Sequence, residues 1–267
     1  MKIGIDAKSF YSGPVSTTVI LQNIIPKLIE QNPLIDWVIF LDKKDKDFNF
    51  PFKQKNVRVE YVWANINQLS NLFVLPRYLK KHSIDLVVYQ MFPSFISSTP
   101  AIAFIHDVLF RQFPEFFTWK EKMYFFPISL LTRKATRLIT TTNSVARDLV
   151  KYNYTRDASL IDIVPLGVSE NFKPREEHDK EFLKSIKSRY KLPERFLLFV
   201  GRLNIRKNIS NLLKALLLLK DREIHLVIVG ERDWKAPHID HLLLDPEIER
   251  RLIFTGRVTV GARSLRP

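Results

Sequence analysis

Cysteine is absent from the 267 residues, which excludes disulfides and thiolate chemistry and suits a reducing compartment. No apolar run approaches the roughly 20 residues of a membrane-spanning helix. No signal peptide precedes the first element, because Met1-Lys2-Ile3-Gly4-Ile5-Asp6 reads directly as a strand with an acid at its end. His, Asp and Glu do not cluster at metal-ligand spacing, so no metal is expected. Zinc-finger spacing, an aromatic RNA-binding signature and a basic zipper are all missing, which argues against sequence-specific nucleic-acid binding. Acidic residues are in deficit, 28 Asp and Glu against 42 Lys and Arg, for a formal charge of +14. That imbalance points to an anionic partner, such as a phosphorylated substrate or an acidic membrane surface. Glycine is scarce, at seven residues. Gly13, Gly167, Gly201, Gly230 and Gly256 all fall just beyond apolar runs or between elements, where tight turns at strand ends need them.

What is present is an alternation of strand and helix patterns. Strands are predicted over Lys2–Asp6, Trp37–Leu41, Val57–Val62, Asp85–Tyr89, Ala101–Ile105, Arg137–Thr141 and Leu160–Val164. Helices are predicted over Val15–Gln31, Gln68–His82, Trp119–Lys134 and Ser144–Tyr152, the first with Val19, Ile20, Ile24, Leu28 and Ile29 as its apolar face and the last capped by Asn143 or Ser144. Such alternation argues for a parallel α/β sheet covered on both faces.

The most informative stretch is Phe196 to Leu219, FLLFVGRLNIRKNISNLLKALLLL. Phe196–Val200 has the length and composition of a strand buried on both faces. Gly201 and a turn carrying Arg202, Arg206 and Lys207 follow, with Asn208 as N-cap of a helix. Three cations beside a helix N-terminus suit a phosphate or diphosphate, although a basic turn can equally be just solvated.

GRLNIRKNISNLLKAL resembles the G-R-x-x-x-x-K-N segment of the family 4 (group 1) retaining glycosyltransferases of GT-B fold. Ile163-Val164-Pro165-Leu166-Gly167-Val168 is similar to that family's V-x-P-x-G-V signature, and Asn171-Phe172-Lys173-Pro174 continues the match. Strands His225–Val229 and Leu252–Thr255, each ending in Gly, fit the same template. The resemblance implies two doubly wound Rossmann-like domains: an acceptor-side domain over 1–168, a connection over 169–194, and a nucleotide-sugar-binding domain over 195–267. It implies that Arg202 and Lys207 hold the donor diphosphate, with Gly201 at the same turn. It also implies that His106, in IHDVLFRQF, points toward the donor sugar, with Asp107 orienting it or the backbone. Read by itself, a His at a strand end is as well explained by a purely structural role. Many family members carry a glycine-rich loop where this chain has Tyr11-Ser12-Gly13-Pro14, so Gly13 is a candidate ligand contact on a loop that departs from the pattern. No cofactor is implied beyond the co-substrate itself, GDP-mannose or a UDP-sugar, and the implied acceptor is a glycan or lipid-linked sugar.

The family's second domain continues past the point where the match ends near Val258, and its paired glutamates seven residues apart do not occur after Gly256. The expectation is a second domain that is incomplete, with Phe196–Val200 as an uncovered edge. The alternatives are an inactive fragment, or a basic membrane-associated module. Phe113 to Phe126 bears on the latter: seven aromatics flanked by Lys120, Lys122, Arg133 and Lys134 suit either a membrane interface or ordinary packing against the sheet. A cytoplasmic protein, peripheral at the inner face of the membrane, is the localisation that follows.

Overall fold

The structure, a computed structural model, describes residues 1–170, 172–231 and 239–258. Asn171, and residues 232–238 and 259–267 of the expected donor-side domain, lie outside the described residues. Residues 1–169 form one compact unit, and the described residues from Glu170 onward form a second.

The first unit is built on seven parallel strands: β1 (Lys2–Asp6), β2 (Asp36–Asp42), β3 (Val57–Val62), β4 (Leu86–Gln90), β5 (Ala101–Phe104), β6 (Arg137–Thr140) and β7 (Ile161–Ile163). They lie in the order β3-β2-β1-β4-β5-β6-β7. The strand β2 is inside the sheet and buried from Trp37 to Asp42, which is why it reads as a nearly unbroken apolar run. Helix α1 (Val15–Gln31) covers one face through Leu21, Ile25 and Ile29. Its buried stripe is rotated from the expected one, and Val19 faces solvent. The second unit has β8 (Phe196–Val200), β9 (His225–Val229) and β10 (Leu252–Gly256), all parallel, in the order β10-β9-β8.

Several expectations need correction. Among the described residues β8 is an edge strand, as expected, but it is not buried on both faces: Leu198 is 59 % and Val200 70 % exposed. The expected helix over 68–82 contains a π-helical segment, Ser70–Val74, before the helix Leu75–Lys81. The helical stretch 119–134 is interrupted at Pro127, as its missing N–H leads one to expect, giving Trp119–Phe125, Ile128–Leu131 and a 3-10 turn at Thr132–Lys134. The helix Asn143–Lys151 is capped by Thr142, whose hydroxyl accepts from the Val145 N–H, rather than by Asn143 or Ser144.

A buried arginine that the sequence did not single out ties the second unit together. Arg251 is 1 % exposed and donates to the carbonyl oxygens of Leu216, Asp221 and Ile224 at 2.8, 3.1 and 2.9 Å. The Leu216 carbonyl lies in the last turn of the helix Ile209–Leu218, where it also accepts a long bond of 3.4 Å from the Leu219 N–H, so the guanidinium completes its capping.

Candidate functional site

In a doubly wound sheet ligands collect outside the carboxyl ends of the strands, at the point where strand order reverses. In the first unit that point lies between β1 and β4. Asp6 ends β1 and is buried with Lys8 and Asn71. Lys8 Nζ lies 2.5 Å from Asp6 Oδ1 and 2.5 Å from Asn71 Oδ1. Asn71 Nδ2 donates to Asp6 Oδ2 at 3.0 Å and to the Phe92 carbonyl at 2.7 Å. Asn71 sits in the π-helical segment, so this network pins an irregular turn to the strand ends. Burial pushes the Lys8 ammonium below its ordinary range, opposed by the charge of Asp6. Asp6 was visible in the sequence as an acid ending a strand. Lys8 and Asn71 were not found by sequence reasoning, since 63 residues separate them.

His106 follows β5, beside Gln90 at the end of β4, because Gln90 pairs with Phe104 in register. His106 Nε2 lies 3.2 Å from Gln90 Oε1. With the Gln90 amide oxygen facing it, Nε2 carries the proton in the tautomer that makes this bond, and in that tautomer Nδ1 is an acceptor. That Nδ1 is buried and has no partner among the described residues, as is Thr140 Oγ1 on neighbouring β6. Asp107 orients backbone, accepting from the Leu109 N–H at 3.1 Å.

Burial pushes the imidazole below its ordinary value of 6.5, with Asp107 opposing. The unfolded chain therefore binds more protons just below pH 6.5, and this group's contribution to stability falls as pH drops through that window. His106 is expected to titrate on the acid side of 6.5, and Gln90→Glu to raise its pKa by placing a carboxylate on Nε2. Side-chain 1H–15N spectra across the acid range read both; an unchanged titration in Gln90→Glu would mean that Gln90 does not hold the ring.

Gly13 lies in the loop between β1 and α1, packed against Ser9: a Cβ there would meet Ser9 Cβ and Oγ at 2.7 Å. The loop is tied down just before it. Ser12 Oγ donates to Asp45 at 2.9 Å, and Tyr11 Oη donates to the Asn49 carbonyl at 2.8 Å.

In the second unit, the turn after β8 is organised by glycine and asparagine. Gly201 and Gly230 end the neighbouring strands β8 and β9 with φ of +153° and +147°. A Cβ on Gly230 would lie 2.1 Å from the Gly201 carbonyl oxygen, so the close approach of the two strand ends requires glycine there. Leu203 and Asn204 are buried, anchoring the turn, while Arg202, Arg206 and Lys207 are exposed around it. Asn204, not Asn208, supplies the side-chain cap: its oxygen accepts from the Arg206 N–H at 3.1 Å and starts the 3-10 turn Ile205–Lys207. Asn208 occupies the N-cap position of the helix Ile209–Leu218 in the left-handed conformation, with no side-chain cap bond. Arg202 and Lys207 thus share one turn at a helix N-terminus, and His106 belongs to the first unit. Among the described residues no group of His, Asp and Glu could hold a metal, and no helix is long and apolar enough to cross a membrane.

Parallel α/β units, the second carrying a cationic turn between its first strand and helix, define the class as GT-B. Models of glycosyltransferase domains together match most of the chain: that for Glycosyltransferase Family 4 matches residues 40–172, and that for Glycosyl transferases group 1 matches residues 181–262. No curated protein matches the chain. Among solved structures, HepE of Anabaena in complex with UDP-glucose aligns over 97 % of this chain and 70 % of its own, with a TM-score of 0.67 and 17 % identity. Sucrose-phosphate synthase of Thermosynechococcus elongatus aligns over 97 % and 71 %, with a TM-score of 0.67 and 14 % identity. A glycosyltransferase of Rickettsia africae aligns over 97 % and 68 %, with a TM-score of 0.62 and 15 % identity. At these identities the likeness establishes the fold.

Proposed function

We propose that this protein transfers a sugar from a nucleotide-sugar donor, with retention, to a glycan or lipid-linked acceptor at an anionic membrane surface. The observation that carries the reading is the exposed cationic turn after β8, in a chain matched by glycosyltransferase family models. Arg202 and Lys207 hold the donor diphosphate, and their charge stabilises the negative charge that develops as the nucleotide leaves. Gly201 and Gly13 let backbone approach the ligands. His106 contacts the donor sugar, as the family resemblance implies; its Nδ1, a buried acceptor, suits a sugar hydroxyl. In this reading residues 1–168 form the acceptor-side domain, 169–194 the connection and 195–267 the donor-side domain, and the protein works in the cytoplasm. The donor is a UDP-sugar, as the HepE complex suggests by analogy, or GDP-mannose.

Calorimetry on the full chain with UDP, GDP, UDP-glucose and GDP-mannose, followed by an assay for released nucleotide, tests this. The expected result is selective binding of one nucleotide and slow release of it from the matching sugar donor. Binding of neither nucleotide overturns the reading. Binding without release supports the alternative of a catalytically silent chain.

A further inference from the structure

The segment from Phe117 to Leu131 is apolar on two opposite faces. Inward, Phe117, Phe125, Ile128 and Leu131 pack on the core of the first unit, Phe125 stacking on Phe110 with ring centroids 5.0 Å apart. Outward, Trp119, Met123, Phe126 and Leu130 are 70, 65, 60 and 61 % exposed. Their spacing of four, three and four residues is one helical stripe that carries on past Pro127. A helix that is apolar all round is ordinarily buried all round, so the outward stripe is matched to something other than water.

Cations are interleaved with this stripe. Arg111 stands over the Phe126 ring at 5.6 Å, and Lys120 over the Trp119 ring at 5.9 Å. Lys134 stands over Phe95, itself exposed, at 5.9 Å. Residues 111–134 carry five basic residues against two acids, and one acid, Glu121, is engaged in a capping box with Thr118. A two-fold contact between copies would set this excess of positive charge against itself. Aromatic and thioether side chains at mid-height, with Lys and Arg around them, match the headgroup region of an anionic bilayer.

We propose that the outward face of residues 119–130 docks the protein on an anionic lipid surface. Trp119, Met123, Phe126 and Leu130 sit at headgroup depth, and Lys120 and Lys122 face the lipid phosphates. The proposal rests on the membrane part of the functional reading and specifies its surface. Its test uses no nucleotide, so its failure leaves the donor reading standing.

The test is flotation of the full chain with vesicles of phosphatidylcholine, with and without about one third phosphatidylglycerol. Wild-type protein is expected to float with the anionic vesicles and to be released by salt. The exposed-residue variant Trp119→Ser/Met123→Ser/Phe126→Ser is expected to bind at least about tenfold more weakly with an unchanged circular dichroism spectrum. Lys120→Glu/Lys122→Glu, which removes no apolar group, is expected to lose about fivefold or more per charge, and only on anionic vesicles. Failure of the wild type to float, or equal binding by the triple variant, overturns the proposal. So does a wild-type dimer in sedimentation that the triple variant dissociates while neither binds vesicles, which would assign the face to a second copy of the chain.

Discussion

Replacing both Arg202 and Lys207 with alanine is expected to weaken nucleoside-diphosphate binding by about a hundredfold or more. A hydrogen bond to a charged group contributes about 1.5–3 kcal/mol, and about 1.4 kcal/mol is tenfold in affinity. Both side chains are exposed, so solvent screening places each at the low end of that range, about tenfold apiece. Stability should hardly change, because surface substitutions away from caps and cores usually stay within about 0.5 kcal/mol. Arg202→Lys keeps the charge but loses the planar fork, so it should fall between wild type and alanine. Arg206→Ala is the control, removing the same charge from the same turn at a position that the G-R-x-x-x-x-K-N motif leaves open. Titration calorimetry of UDP and GDP into the double variant, Arg202→Ala, Arg202→Lys and Arg206→Ala decides the point. If Arg206→Ala costs as much as Arg202→Ala, the turn is a diffuse cation cloud and not a seat for a diphosphate.

Period and composition made the architecture legible, since strands and helices alternate and each strand ends in turn chemistry. They could not tell an edge strand from a central one. Phe196–Val200 is as apolar as β2, yet β8 has one neighbour among the described residues and β2 has two. Pattern placed Asn208 at the N-cap position of the helix, where it is found, but not the side-chain cap bond, because Asn204 and Asn208 are equally good capping residues by type. The cap falls to Asn204 because the chain turns there first, bringing the Arg206 N–H onto its side-chain oxygen. Asn208 is then used for its tolerance of positive φ, at +54°.

The candidate site was legible where a family motif names residues and opaque where the fold assembles them. His106 and the cationic turn came from short segments. Gln90 carried no local signal, and it reaches His106 only because β4 and β5 are neighbours in register. The outward stripe of Trp119, Met123, Phe126 and Leu130 was half visible. The sequence gives aromatics and cations together, but which face is already occupied depends on Phe125, Ile128 and Leu131 meeting the core.

Lys8→Met is expected to be the most destabilising single change in the first unit, costing about 3–5 kcal/mol, because it strands a buried carboxylate. For a unit of this size that corresponds to a fall of roughly 6–20 °C in melting temperature. Asp6 would keep the Asn71 amide as a donor but lose the ammonium, and Asn71 Oδ1 would lose its donor as well. Desolvation is the largest influence on Lys8, outweighing the attraction of Asp6 in the direction of its pKa. The pair is therefore costly to keep charged, and costlier still to break on one side. It follows that Lys8→Met/Asp6→Asn should recover part of the loss, giving a non-additive cycle in urea unfolding. The loosened network would also release the π-helical turn at Ser70–Val74 from the end of β1, so amide hydrogen exchange should rise first at Asn71 and Phe92. Lys8→Met within about 1 kcal/mol of wild type, with exchange unchanged at that turn, would show that the ion pair does not hold the strand ends together.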